Sequence, residues 1–270
     1  MNPDRPTAPV SVLIPCFRCA PTIARALDSV FAQSVVPAEI IVVDDGSDDE
    51  TPEALRALER RHGERIRILR LAANRGAASA RNAGWALATQ PYLAFLDADD
   101  SWHPDKLRIQ YEYMKAHPEV SLCGHGRSIS RDCDAPSVPA GNPAVTRIDA
   151  RGLLFSNAFS TPTVMLKSDI PLRFPEGQRH VEDAFLWQRI ALSGLAVVRI
   201  ESELACIHKA PYGSAGLSSE LWNMERAELG NFRAHYRAGK IGPGLLLAAS
   251  LYSLAKYVRR ILVQSAGTTR

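Results

Sequence analysis

The sequence predicts an α/β domain: a mostly parallel sheet with flanking helices, followed by C-terminal helices. Short apolar runs alternate with stretches of helical periodicity along the first half of the chain. The connections between them are short, as right-handed crossovers between parallel strands require. Two of the apolar runs end in clusters of aspartate, where such sheets place their ligands.

Each element has its own signal. Val10–Ile14 is a buried strand stopped by Pro15. Ile23, Leu27, Val30 and Phe31 recur at helical spacing, with Pro21 expected in the first turn. Ile40–Val43 is a second buried strand, ending at Asp44-Asp45-Gly46-Ser47. Thr51-Pro52 reads as an N-cap followed by the first helical position, and Leu55 and Leu58 supply the apolar side. Ile66–Leu71 is a third strand, Ala77–Ala88 an alanine-rich helix, and Tyr92–Leu96 a fourth strand running into Asp97-Ala98-Asp99-Asp100. A helix is expected from about Pro104. The rhythm weakens after Cys123, and residues 130–150 read as a surface loop rich in Pro, Asp, Ser and Gly. A strand near Thr163–Leu166, a helix over Glu182–Leu192 closed by Gly194, and two strands, Ala196–Ile200 and Leu204–Ile207, precede a helical remainder.

Composition bounds the rest. With 270 residues, 46% hydrophobic and 23% charged, the chain buries a substantial core and is not disordered. The longest apolar stretch, 244–255, falls well short of the ~20 residues of a membrane span. The opening residues carry no apolar leader segment, which sets the expectation of a cytoplasmic protein. Five cysteines, an odd number, read as reduced thiols; Cys16 and Cys19 have redox or half-zinc spacing, but no second pair completes a metal site. The net charge of +3 is uneven, since residues 221–270 hold eight Lys/Arg and two acids. A nucleic-acid binder would be basic throughout, so no nucleic acid is expected. A basic tail suggests a local partner such as an anionic membrane surface.

Asp97, Asp99 and Asp100 are the sharpest chemical signal. Carboxylates suit Mn²⁺ or Mg²⁺, which one or two acids commonly share with a diphosphate. The plain alternative is a capping cluster for the following helix, for which one aspartate suffices.

Leu96–Leu107, Val42–Ser47 and Asn74–Gly84 together resemble the family 2 glycosyltransferases of GT-A fold. Val10–Pro15 and Glu182-Asp183 with Leu186-Trp187 match the same family in order and spacing, over about residues 10–217. The resemblance implies an inverting, metal-dependent transfer of a sugar from a nucleotide-diphosphate donor, a UDP-sugar, to a glycan or lipid-linked saccharide hydroxyl in surface polysaccharide synthesis. It implies that Pro15 and Phe17 lie near the base and that Asp45 accepts the base N–H, with Asp44 structural. Arg81 is placed by the nucleotide and Asp97 at ribose or a metal-bound water. Asp99 is the implied metal ligand, with His208 completing the metal site or meeting the diphosphate, and Asp100 faces the donor sugar. Asp183 is the implied general base and Glu182 the second choice. The segment Tyr212–Ser218 is read as a loop able to close over the donor.

Residues 1–123 are read as the nucleotide-sugar half, 124–218 as the acceptor-binding and catalytic half of the same domain, and 219–270 as a helical extension. The last helix carries Leu247, Leu251, Leu254, Val258 and Ile261 on one side. Packing on the domain, or a homodimer, is preferred there to peripheral contact with the inner membrane. Two rivals remain: a sugar-nucleotide-binding protein without catalysis, and a sugar nucleotidyltransferase. The latter would need a glycine-rich loop after strand one, where this chain has Pro15-Cys-Phe-Arg-Cys-Ala. No G-x-G-x-x-G follows that strand, which disfavours a dinucleotide-dependent oxidoreductase.

Overall fold

The computed structural model describes residues 5–129, 143–208 and 220–267. Its strands form one nine-stranded sheet. In chain order they are β1 (Thr7–Cys16), β2 (Val36–Asp44), β3 (Arg67–Arg70), β4 (Tyr92–Phe95), β5 (Ser101–Trp102), β6 (Val120–Ile129), β7 (Val145–Arg147), β8 (Met165–Lys167) and β9 (Ala196–Ile207). The helices are α1 (Ile23–Phe31), α2 (Thr51–His62), α3 (Ala77–Leu87), α4 (Lys106–Ala116), α5 (Glu182–Leu192), α6 (Leu221–Arg237) and α7 (Pro243–Gly267). The sheet order is β3-β2-β1-β4-β8-β6-β9-β5, with β7 also paired to β9. The pairings among β1 to β4 are parallel, as expected. Beyond them the sheet is mixed: β8 lies antiparallel between β4 and β6, and β9 is parallel to β6 but antiparallel to β5 and β7.

The central strands are buried on both faces, which is why they read as continuous apolar runs. Val10, Val12, Ile14, Ile40, Val42, Ala94 and Leu96 point to one core, built with Ile23, Leu27 and Val30 of α1, Leu55 and Leu58 of α2, and Leu107 and Met114 of α4. The alternate residues Leu13, Ile41, Val43, Leu93 and Phe95 point to the other, with Trp85 of α3 and Leu186, Trp187 and Ile190 of α5. A period of two in the strands thus sorts side chains between two helical layers.

Several local expectations shift. Pro21 precedes α1, which starts at Ile23. Thr51 is the first residue of α2 rather than its cap; its hydroxyl accepts the amides of Cys19 and Ala20 at 2.8 and 3.0 Å. The two strands expected at 196–200 and 204–207 are one strand, because exposed Glu201, buried Ser202 and exposed Glu203 continue the alternation instead of turning. Within the expected surface loop, β7 pairs with β9. Beside it, β6 holds Gly124, where a Cβ would stand 2.1 Å from Phe159 Cδ1. The expectation of free thiols holds for Cys16, Cys19 and Cys123, whereas Cys206 is disulfide-bonded.

The helical remainder is present as α6 and α7, joined to the domain through a small core of Leu154, Phe232, Ile241 and Ala249. The preferred packing of the α7 stripe on the domain is not found. Leu247, Leu251, Leu254, Val258 and Ile261 all face solvent, while Ala249 and Ser253 are buried. Among the described residues no helix is long and apolar enough to cross a membrane.

Candidate active site

The carboxyl ends of β1, β2 and β4 border an open cavity of about 710 Å³. Its wall includes Pro15, Phe17, Asp45, Arg81, Asp97, Asp99 and Glu182, seven of the residues singled out from the sequence. Asp44, Asp100, Asp183 and His208 are not on that wall.

Asp45 is buried, and both its oxygens accept backbone amides, from Arg75 at 2.9 Å and Gly76 at 2.7 Å. It thereby fixes the start of α3 against the end of β2. Gly46 makes this approach feasible. It has φ +71°, and a Cβ there would sit 2.7 Å from the Ala73 carbonyl carbon, which is backbone and cannot yield. Asp44 turns away, accepting the Ser47 amide at 3.0 Å and pairing with Arg70 at 3.4 Å.

Arg81 stands at the centre of the charge. Its side chain is 5% exposed, and it reaches Asp97 at 2.8 Å and Glu182 at 2.9 Å. Its Nε has no hydrogen-bond partner among the described residues. Burial weakens the charged guanidinium, but the two acids outweigh that and hold its pKa up. Arg81 therefore joins the tip of β4 to the first turn of α5.

Burial likewise raises the pKa of Glu182 against the pull of Arg81, with Asp183 adding to the rise. For Asp183 burial again dominates and pushes the pKa upward, opposed by Arg81 and by hydrogen bonds. Those bonds come from the Ala184 amide at 2.7 Å and the Thr161 hydroxyl at 3.2 Å. Val181, just before the two acids, adopts a left-handed backbone with φ +49°. A β-branched residue is strained there. Its carbonyl accepts Asn231 Nδ2 of α6 at 3.2 Å, and Asn231 Oδ1 accepts Gln178 Nε2 at 3.1 Å.

At the β4 tip, the Asp100 amide donates to the Asp97 carbonyl at 3.1 Å, and Arg25 donates to the Asp99 carbonyl at 2.6 Å. The antiparallel pairing of Ser101 with Cys206 brings the end of β9 alongside, so His208 Nε2 and Ser101 Oγ share a 2.8 Å hydrogen bond. His208 is thus beside the aspartate cluster though 107 residues from Ser101 in sequence. The expected closing segment, Tyr212–Ser218, lies outside the described residues.

Among the described residues no group of three or more His, Cys, Asp or Glu side chains forms a ready metal cage. A hard divalent cation shared with a diphosphate needs only one or two carboxylates from the protein. Asp99, on the cavity wall beside Asp97, matches that oxygen donor set.

Sequence reasoning missed Thr161, Asn231 and Arg179. Thr161 and Asn231 act through single contacts made by the fold and carry no local signal. Arg179, which also lines the cavity, stands three residues before Glu182, so a basic residue next to the paired acids was its only cue. A second groove of about 640 Å³ runs between the 177–180 loop and α6, and Arg179 borders both spaces.

The family model for "Glycosyl transferase family 2" matches residues 11–162. A similar curated protein is the UDP-Glc:alpha-D-GlcNAc-diphosphoundecaprenol beta-1,3-glucosyltransferase WfgD of Escherichia coli, 31% identical over 67% of this chain and 69% of its own length. The succinoglycan biosynthesis protein ExoO of Rhizobium meliloti is 41% identical over 40% of this chain and 30% of its own. The aligned part spans only about a third of ExoO and similarly short shares of two other curated relatives, 36% and 41%. Among solved structures, the mannosyltransferase PcManGT of Pyrobaculum calidifontis, in complex with GDP-Man and Mn²⁺, superposes with a TM-score of 0.68 at 20% identity, covering 95% of this chain and 75% of that one. Residues 1–349 of S. aureus TarS in complex with UDP-GlcNAc give 0.62 at 18% identity, covering 83% and 66%. The architecture is therefore the GT-A arrangement.

Proposed function

Because this chain belongs to glycosyl transferase family 2, we propose that it transfers a sugar from a nucleotide-diphosphate donor, a UDP-sugar, to a hydroxyl of a glycan or lipid-linked saccharide, with inversion. The observation that carries the reading is the convergence of Asp45, Asp97, Asp99 and Glu182 on one cavity around Arg81. A role in polysaccharide biosynthesis is supported by the succinoglycan and diphosphoundecaprenol relatives named above, and the cytoplasmic face of the membrane is the proposed place of action.

The exposed Phe17 ring offers a flat apolar face to a base, with buried Pro15 beside it on the cavity wall. Asp45, whose carboxylate is already aligned by two amides, has remaining lone pairs for a base N–H. Asp99, with Asp97 beside it and His208 behind Ser101, would hold Mn²⁺ or Mg²⁺. Such a cation supplies charge neutralisation at the departing diphosphate. Asp100 is assigned to the donor-sugar side by its place in the same turn.

Asp183 accepts the proton of the acceptor hydroxyl. As it does, that oxygen bonds to the anomeric carbon on the face opposite the nucleoside diphosphate, which leaves with the electron pair of the broken bond. A raised pKa strengthens Asp183 as a base, and its bonds to Ala184 and Thr161 fix the carboxylate direction. Glu182 is tied to Arg81 and serves as its counter-ion. Residues 1–123 are assigned to the donor side, 124–218 to acceptor and catalysis, and 219–270 to the extension, whose α6 borders the second groove as an acceptor approach.

The test is a panel of nucleotide sugars scored by thermal shift with Mn²⁺, then with EDTA, followed by donor turnover. UDP-sugars should raise Tm only with the metal. Asp183→Asn should keep that shift and lose turnover. An Asn variant as active as the parent overturns the assignment of the base. A shift without turnover in the parent supports the binding-protein rival, and pyrophosphate release from a sugar phosphate and UTP supports the nucleotidyltransferase.

A further inference from the structure

α7 is amphipathic the wrong way round for a helix packed on a soluble domain. The side turned to the body carries Ala249, Ser253, Lys256 and Arg260, with Ser253 fully buried and Lys256 bonded to Glu228 at 3.1 Å. The side turned away carries Leu247, Leu251, Leu254, Val258 and Leu262, spaced three and four residues apart and 62%, 59%, 37%, 53% and 63% exposed. Five large apolar side chains in a row are more than scattered exposure accounts for. Tyr252 and Trp222 are also exposed, and Trp222 packs on Tyr257 at 5.7 Å, so aromatic rings accompany the stripe.

Charge chooses among occupants. α7 contains Lys256, Arg259 and Arg260 and no acid. In the described extension Arg226, Arg233, Arg237, Lys240 and Arg259 are exposed, whereas of its three acids Glu225 is buried, Glu228 is bound to Lys256, and only Glu220, bonded to Asn223, is exposed. A second copy seated on the stripe would bring two basic helices together with no acid on either. An anionic lipid surface takes both the apolar stripe and the positive flank. With its large apolar side chains gathered on one side and too little apolar length to cross a membrane, the helix suits lying in the interface rather than spanning it.

We propose that the outward face of α7 is a membrane-docking surface: the leucine stripe enters the headgroup–acyl boundary of an anionic bilayer, with Arg259 at its margin pairing with lipid phosphates. This placement does not depend on the donor or the chemistry assigned above.

The test is co-sedimentation of the full chain with vesicles of phosphatidylcholine alone, or of equal parts phosphatidylcholine and phosphatidylglycerol. Binding should favour the anionic vesicles and weaken in high salt. Leu251→Ser with Val258→Ser should lower the partition about tenfold or more, and Arg259→Glu about fivefold or more. These residues are exposed, so the parent's Tm should persist and certify folding. Vesicle binding unchanged by the double substitution overturns the proposal. So does a parent that ignores both vesicles but dimerises by light scattering through Leu251 and Val258.

Discussion

At the scale of single residues, the site trades stability for reactivity. Asp183 has a folded-state pKa raised by burial, so ionising it costs more in the folded chain than in the unfolded one. Its contribution to stability is full below the ordinary carboxylate range and is lost as pH rises through the raised value. At neutral pH, therefore, Asp183→Asn should keep the Ala184 amide bond to its oxygen, with its NH2 now donating to the Thr161 hydroxyl, relieve that cost and raise Tm while abolishing transfer, as calorimetry beside an activity assay would show. The same raised pKa sets the acid limb of the rate profile: log kcat should fall with decreasing pH at values above the ordinary ~3.9 of an aspartate. Arg81 poses the opposite case. Arg81→Met leaves Asp97 and Glu182 facing each other without their cation, and denaturant unfolding should show a loss of about 3 kcal/mol or more. The acids of the site were legible in the sequence because each ends a strand or opens a helix. The tie from Arg81 to both acids was not, because residues 81, 97 and 182 meet only through the folded sheet.

At the scale of elements, the early strands and helices were readable because burial on both faces leaves an apolar run and burial on one face leaves a stripe. Several later ones were readable too: the strand at β8, the helix α5, both halves of β9 and the helical remainder. β5, two residues long, and β7, three, were not, because each is defined by what it pairs with rather than by its own pattern. The direction of β8 also escaped the alternation argument, since no helix connects it to β4 as a parallel partner would need. Two substitutions test how elements are held. Gly46→Ala places a methyl against the Ala73 backbone in a left-handed turn, so the β2 and α3 ends must separate. A loss of about 2 kcal/mol with weakened UDP binding is expected, read by unfolding and thermal shift. Asn231→Ala removes the α6 grip on Val181 and Gln178. It should cost about 1–2 kcal/mol by denaturant unfolding and lower turnover, because Val181 leads directly into Glu182 and Asp183.

At the scale of the whole molecule, acid sensitivity should come from histidines that the catalytic reading does not use. Burial pushes His125 down to about 3 and His235 to about 4. Both fold neutral, so their contribution is full above the ordinary histidine value of about 6.5 and disappears as pH falls through the depressed values. Unfolding midpoints should decline as pH drops below about 6.5, and His235→Gln should flatten that decline. Distribution across the molecule also matters for Arg81, which sits on α3 yet binds one acid from β4 and one from α5. The portions of the chain before and after residue 123 are therefore not interchangeable modules. A chimera that grafts another relative's sequence after residue 123 inherits a carboxylate-shaped vacancy opposite this arginine, and retargeting such an enzyme to a new acceptor would succeed only when the incoming graft brings its own counter-ion.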